Sequence, residues 1–184
     1  MCRLPYLRLL HRNAFLRAIR TRTTLPATIR ECAIARVAVL NRAWYEWEHH
    51  AILIQFQTPE QTLEAQKYVF TAPPFTHPSA GSAQDKLGDG GLDEAHLAIL
   101  EFTDYSTLRV EIPDQVFARV KQAGLNDREV VELVATIGSY NCVSRFLVAL
   151  DVSERNGRDG MRLSNGNVHE KLVGLEPAKR PDGL

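Results

Sequence analysis

The chain has 184 residues, 45% of them hydrophobic and 24% charged, with 22 basic residues against 22 acidic ones. That length suits one domain, or one domain with tails, and the composition is that of an ordinary globular protein. A net charge of zero offers no electrostatic footprint for nucleic acid or a membrane surface, and no apolar run is long enough to span a bilayer.

The charge is unevenly spread. Residues 1–30 carry Arg3, Arg8, Arg12, Arg17, Arg20, Arg22 and Arg30 and no acid. Such a start suits a mitochondrial transit peptide or a basic helix packed on the domain. Leu4, Leu7, Leu10, Ala14 and Ala18 recur at helical spacing and fit both readings. A helix is expected over about 6–19. A Thr-rich stretch follows, and Pro26 suits the first turn of the next helix.

From about 27 to 56, Ile29, Ala33, Val37, Leu40, Trp44, Trp47, Ala51 and Ile54 advance by three or four and form one apolar stripe. "LNR" at 40–42 is a possible break. Thr58 as N-cap and Pro59 at the first helical position open another helix. Residues 71–91 are rich in Pro, Gly and Ser and form a long loop.

A helix is expected over 92–103 and irregular or extended chain over 104–113. Another helix starts near Pro113 and stops at Gly124, a glycine just past a helix end. The last helix is capped by Asn126 or Asp127, with Asp127 and Glu129 at the positive end of its dipole. From Arg155 the chain is polar and Gly-rich, and a flexible tail is expected. No segment reads as a strand. The expectation is an all-α protein in three parts: a basic N-terminal helix and linker over 1–24, a helical domain over 25–154, and a tail over 155–184.

Cys2, Cys32 and Cys142 form neither a CxxC nor a metal-ligand spacing. A sparse, odd count suits free thiols in a reducing, cytoplasmic setting, with the Arg-rich start leaving a mitochondrial one open. Cys32 and Cys142 sit in apolar surroundings and are expected to be buried.

"YEWEHH" at 45–50 carries the chemistry. Glu46 and His50 are spaced i,i+4 on one helical face and can touch. A carboxylate beside an imidazole favours its charged form, which makes a proton donor usable near neutral pH. The alternative is a solvated surface pair. His49 lies one step off that face and points to solvent or a subunit interface. A metal site from Glu46, His49 and His50 is geometrically poor, because adjacent helical residues point about 100° apart. Trp44 and Trp47 fall on the apolar stripe as core or oligomer contacts, and Tyr45 is core or offers its hydroxyl to a pocket.

With "RE" at 30–31 ahead of an apolar helix, this stretch resembles the carboxymuconolactone decarboxylase superfamily, which includes the alkyl hydroperoxidase D-like proteins. "ILEFTD" at 99–104 and "DREVVELVATIGSYNCVSRFLVAL" at 127–150 resemble its second block, so that the likeness covers about 25–150. It implies an alkyl hydroperoxidase D-like helical bundle, homo-oligomers (trimers or hexamers) built from packed helical hairpins, and a pocket lined by the helix bearing Glu46 and His50. The peroxidase branch uses a redox CxxC, whose positions here are Ala43 and Glu46. Disulfide-linked peroxidase chemistry is therefore not expected, and the chain sides with the decarboxylases. The intervening aromatics and the 71–91 loop differ from that branch, so the substrate is not carried over.

The resemblance implies a cofactor-independent decarboxylation or proton transfer on a small organic acid or lactone. Loss of CO2 from an unsaturated lactone acid leaves an electron-rich carbon, which His50 protonates while Glu46 orients it. Arg30 or Arg42 binds a substrate carboxylate, since guanidinium suits bidentate pairing. Glu31 lies 15 residues before Glu46, about 22 Å away in one straight helix. It joins the site only if the chain breaks around 40–43, or if a neighbouring subunit brings it in.

Tyr140 and Asn141 line the pocket from the last helix, with helix packing as their alternative. Glu132 and Arg145 suit surface salt bridges or packing, and Gly138 a close helix approach. His77, His96 and His169 show no constellation. Two further readings stand beside the enzyme: a helical oligomer that binds a small ligand or partner without turnover, and an antioxidant peroxidase-like protein, which needs Cys32 or Cys142 exposed.

Overall fold

Every side chain from Glu31 to Leu40 is buried, in a helix that is apolar almost all round. Such a helix belongs in the centre of a bundle, and the protein is built around it. The computed structural model describes residues 12–78, 91–154, 156, 172 and 174–181. Among them the order is α1 (Arg12–Thr21), α2 (Ala27–Asn41), α3 (Trp44–Ala51), α4 (Pro59–Thr71), α5 (Glu94–Leu108), α6 (Asp114–Gln122) and α7 (Asp127–Ala149), with a short 3₁₀ turn at Val152–Glu154. The described residues hold seven α-helices and no strand. Among them no helix is long and apolar enough to cross a membrane.

α5 and α7 flank α2, α3 folds back onto it, and α1 lies on α7. The described part of the basic N-terminal segment thus packs on the domain, with Ile19 buried. The start of the 6–19 helix, Cys2, His169 and most of the 71–91 loop lie outside the described residues.

The local signals behave as expected at several ends. Pro26 immediately precedes α2. Thr58 and Asn126 each form a reciprocal capping box, with Gln61 and Glu129 respectively. Gly124 takes a φ of +102° just past α6. The break near "LNR" is real: Arg42 adopts the left-handed conformation (φ 56°, ψ 33°). Its N–H donates to Val39 O at 3.1 Å, and that of Ala43 donates to Ala38 O at 2.8 Å. This is the Schellman pattern of a helix C-terminus.

Four expectations are corrected. α5 does not end at 103 but runs to Leu108. Its polar residues Thr103, Asp104 and Thr107 are buried on the helix face, and Asp104 is satisfied by a residue far away in sequence. Arg36 of α2 donates Nε to Asp104 Oδ1 at 2.7 Å and Nη2 to Oδ2 at 3.1 Å. His77 Nε2 lies 2.8 Å from the same Oδ2, and Tyr68 Oη 3.0 Å from His77 Nδ1. Burial alone would raise the Asp104 carboxyl; Arg36 and His77 outweigh it and hold it below its ordinary value. His77, which showed no constellation in sequence, belongs to this network.

The tail is also more than a free end. Leu172 and Ala178 are buried, Ala178 N–H donates to Phe70 O at 2.7 Å, and Arg180 Nε donates to Leu40 O at 2.8 Å. Cys142 is exposed, not buried. Around Gly138 no described residue comes within 4 Å of where a Cβ would stand.

Candidate functional site

The break at Arg42 turns α3 back along α2 and brings its last turn beside the first turns of α2. Glu31 and His50 meet there, with His50 Nδ1 2.7 Å from Glu31 Oε2. Arg30 Nε holds the other carboxylate oxygen at 3.2 Å. Both groups are buried, Glu31 to 3% and His50 to 7% exposure. Desolvation alone would raise the Glu31 carboxyl; the His50 hydrogen bond and charge, with Arg30, win and hold it below its ordinary value. Glu31 is therefore an anion that accepts from Nδ1–H of His50 and fixes the ring, leaving Nε2 for a ligand.

Tyr140 of α7 sets its ring edge-on to His50, with centroids 4.9 Å apart at 84°. Burial pushes its hydroxyl up to about 12, so it stays a neutral donor. These groups face a cleft of about 840 Å3, whose wall includes Arg17, Arg20, Arg30, Glu31, His50 and Tyr140. That volume lies within the range of small-molecule sites. Glu31 is the only acid among the lining residues and is already paired, so the mouth is net positive and suits an anionic ligand.

Glu46 is placed differently from the expectation. It forms no hydrogen bond to His50; its Oε1 accepts from Ser144 Oγ of α7 at 3.0 Å. Its Oε2 is buried and has no hydrogen-bond partner, and Glu46 is 2% exposed. With no cation beside it, burial raises its pKa well above the ordinary value, the Ser144 bond offsetting only part. Burial thus favours the neutral form of the Glu46 carboxyl, which is packed behind the cleft rather than lining it. The i,i+4 spacing was a correct guide to the shared helix face, but the carboxylate that holds and orients His50 comes from α2.

Of the other expected pocket residues, Tyr140 is at the cleft and four are not. Tyr45 and His49 stack on each other, with ring centroids 4.3 Å apart, and His49 Nδ1 lies 2.7 Å from Tyr45 O. His49 is exposed, as its 100° offset from His50 requires. Asn141 is spent on packing: its Nδ2 donates to Thr107 Oγ1 and Ile137 O, both at 3.1 Å, and its Oδ1 accepts from Asn41 and Arg145 at 3.0 Å. Arg42 borders a separate cleft beside the α2–α3 break. Glu132 pairs with Arg128 at 2.8 Å and also ties down Thr23 and Thr24 in the α1–α2 linker. Trp44 and Trp47 are core residues against Phe70.

The sequence reasoning missed Arg17, Arg20 and Ser144. The unbroken basic run of the first thirty residues was the available signal for the two arginines, once α1 is known to lie on α7. Cys32 is fully buried, and burial pushes its thiol up, away from the reactive thiolate. Among the described residues no group of three or more His, Cys, Asp or Glu side chains is placed to hold a metal ion. No protein-family model matches the chain, and no curated protein matches it.

Proposed function

We propose that the chain is an enzyme of the carboxymuconolactone decarboxylase type, with an alkyl hydroperoxidase D-like fold, that moves a proton on a small organic acid or lactone. The observation that carries this reading is the buried Glu31–His50 pair, 2.7 Å apart, at the wall of a net-positive cleft. Arg20 and Arg30 attract the substrate's carboxylate at the mouth. The bond from the ring carbon to the departing CO2 breaks, and its electron pair enters the unsaturated lactone as an extended enolate. His50 Nε2 delivers the proton that forms the new C–H bond. Glu31 fixes the ring through its Nδ1, and Tyr140 donates to the developing oxyanion.

Glu46 adds support. An orphaned polar atom in a buried carboxyl costs about 1–3 kcal/mol, which a core serving packing alone avoids. Val131 and Val134, three residues apart on α7 and both exposed, offer an apolar patch for the expected trimer or hexamer.

The test is CO2 release from 4-carboxymuconolactone and related unsaturated lactone acids, with wild type and His50→Ala in parallel. Release that falls in the variant is the expected result. No release from either protein would overturn the decarboxylase reading and favour a helical oligomer that binds a small anion without turnover.

A further inference from the structure

The break between α2 and α3 borders a second cleft, of about 600 Å3, which shares no lining residue with the one at His50. Arg42, Arg145 and Arg180 line it together with Asn41, Ser144 and Asn156, and among the described residues no acidic one does. The buried Arg36 is paired with Asp104, and the half-buried Arg119 and Arg30 are paired with Glu94 and Glu101 and with Glu31, whereas Arg42, Arg145 and Arg180 stand exposed at this cleft. The three arginines of this cleft have no ion-pair partner among the described residues.

Their donors are only partly spent. Arg180 uses Nε on Leu40 O at 2.8 Å and Nη2 on Asn41 Oδ1 at 2.6 Å. Arg145 uses Nη1 on Asn141 O at 2.9 Å and on its Oδ1 at 3.0 Å. The Arg42 guanidinium donates to nothing among the described residues, although it stands at a left-handed position where glycine is usual. A guanidinium carries five N–H donors. All of Arg42, Nε and Nη2 of Arg145, and Nη1 of Arg180 are therefore left for a ligand. The bonds already made hold two of the three heads in place, so little ordering is left for binding to supply. Burial, and then the charges of Arg145 and Arg42, lower the pKa of Arg180. Like charges gathered in one cleft with no counter-charge are stabilised by an anion.

We propose that this cleft binds a phosphate group, free or carried on a small molecule, through Arg42, Arg145 and Arg180. Three guanidiniums match the three oxygens and roughly −1.5 to −2 charge of a phosphate better than the single charge of a carboxylate, and the fork of each suits bidentate contact. Ser144, whose hydroxyl also holds Glu46, forms part of the wall.

The experiment is calorimetric titration of inorganic phosphate into the full chain at constant ionic strength, with succinate in parallel. Saturable phosphate binding is expected. Each of Arg42→Gln and Arg145→Gln weakens it about tenfold or more, and Arg109→Gln, which lines neither cleft, leaves it unchanged. Arg42 makes no side-chain hydrogen bond among the described residues, so its substitution tests the site without disturbing the fold. Absence of saturable phosphate binding would overturn the proposal. So would succinate binding at least as tightly with the same dependence on Arg42 and Arg145, or phosphate binding that Arg42→Gln and Arg145→Gln leave as in wild type.

Discussion

Glu31 and His50 are 19 residues apart in sequence and 2.7 Å apart in space. A straight helix would separate them by about 28 Å. The left-handed residue Arg42 is what closes that distance, and two further ionisable groups stand near the pair: Arg30, which holds Glu31 at 3.2 Å, and Glu46, whose carboxyl burial pushes up.

His50→Ala is expected to lower the rate of CO2 release from a responding lactone acid by about 10²–10⁴-fold, the range for loss of a positioned proton donor. KM should move far less, because Arg20 and Arg30 remain to bind the carboxylate. Initial-rate kinetics on both proteins measure this; equal turnover would remove His50 from the chemistry.

Glu31→Gln keeps the shape and removes the charge. The folded pKa of Glu31 lies below its ordinary 4.5. Its contribution is therefore present above that value and is lost as pH falls through the lower, folded one. Wild type should exceed the variant by about 1.5–3 kcal/mol at pH 7, as for a hydrogen bond to a charged group. The gap should shrink as pH falls below 4.5. Denaturant unfolding at several pH values reads it, and a gap that grows on acidification would contradict the assignment.

Glu46→Gln runs the other way. Glu46 has a folded pKa raised above 4.5 by burial, so the folded state binds the extra proton and wild type loses stability as pH rises above 4.5. Relative to the variant, that loss should approach about 1.4 kcal/mol per pH unit until the folded group itself ionises. Paired unfolding curves between pH 4 and pH 9 test it; parallel pH profiles for the two proteins would show that Glu46 is already charged.

Arg36→Met should cost about 3–5 kcal/mol, because it strands the buried charge of Asp104. Adding Asp104→Leu should recover part of the loss, since two apolar groups no longer leave a charge unpaired. A double variant less stable than Arg36→Met, measured by urea midpoint, would refute this account.

Arg42→Gly should stabilise the fold by roughly 1 kcal/mol, by relieving a side chain at positive φ. An unchanged or lowered Tm would mean that Arg42 is held there by contacts that offset its strain.

The helices, their caps and the chain break were legible because each is a local matter. Thr58 and Asn126 cap through residues three positions on. The need for a break at 40–43 followed from asking where Glu31 would otherwise lie. What was not legible depends on partners remote in sequence. Asp104 looked like a loop residue because Arg36, 68 residues away, supplies its countercharge. Glu46 seemed to be the partner of His50 because i,i+4 neighbours are visible in sequence and a residue on another helix is not. Tyr140 was found at the cleft, whereas Asn141, one position on, points 100° round α7 into packing. The tail's low apolar content hid the strap at 174–181, which is held mainly by main-chain carbonyls of α2 and α4.

That strap orders events in time. The Glu31–His50 hairpin needs only the first 51 residues of sequence, a local closure that a growing chain can make early. The contact from Arg180 to Leu40 spans 140 residues and forms only after the chain between them has been synthesised. The hairpin that holds His50 can therefore take shape on the ribosome, while the arginine cleft, lacking Arg180 until then, is completed later.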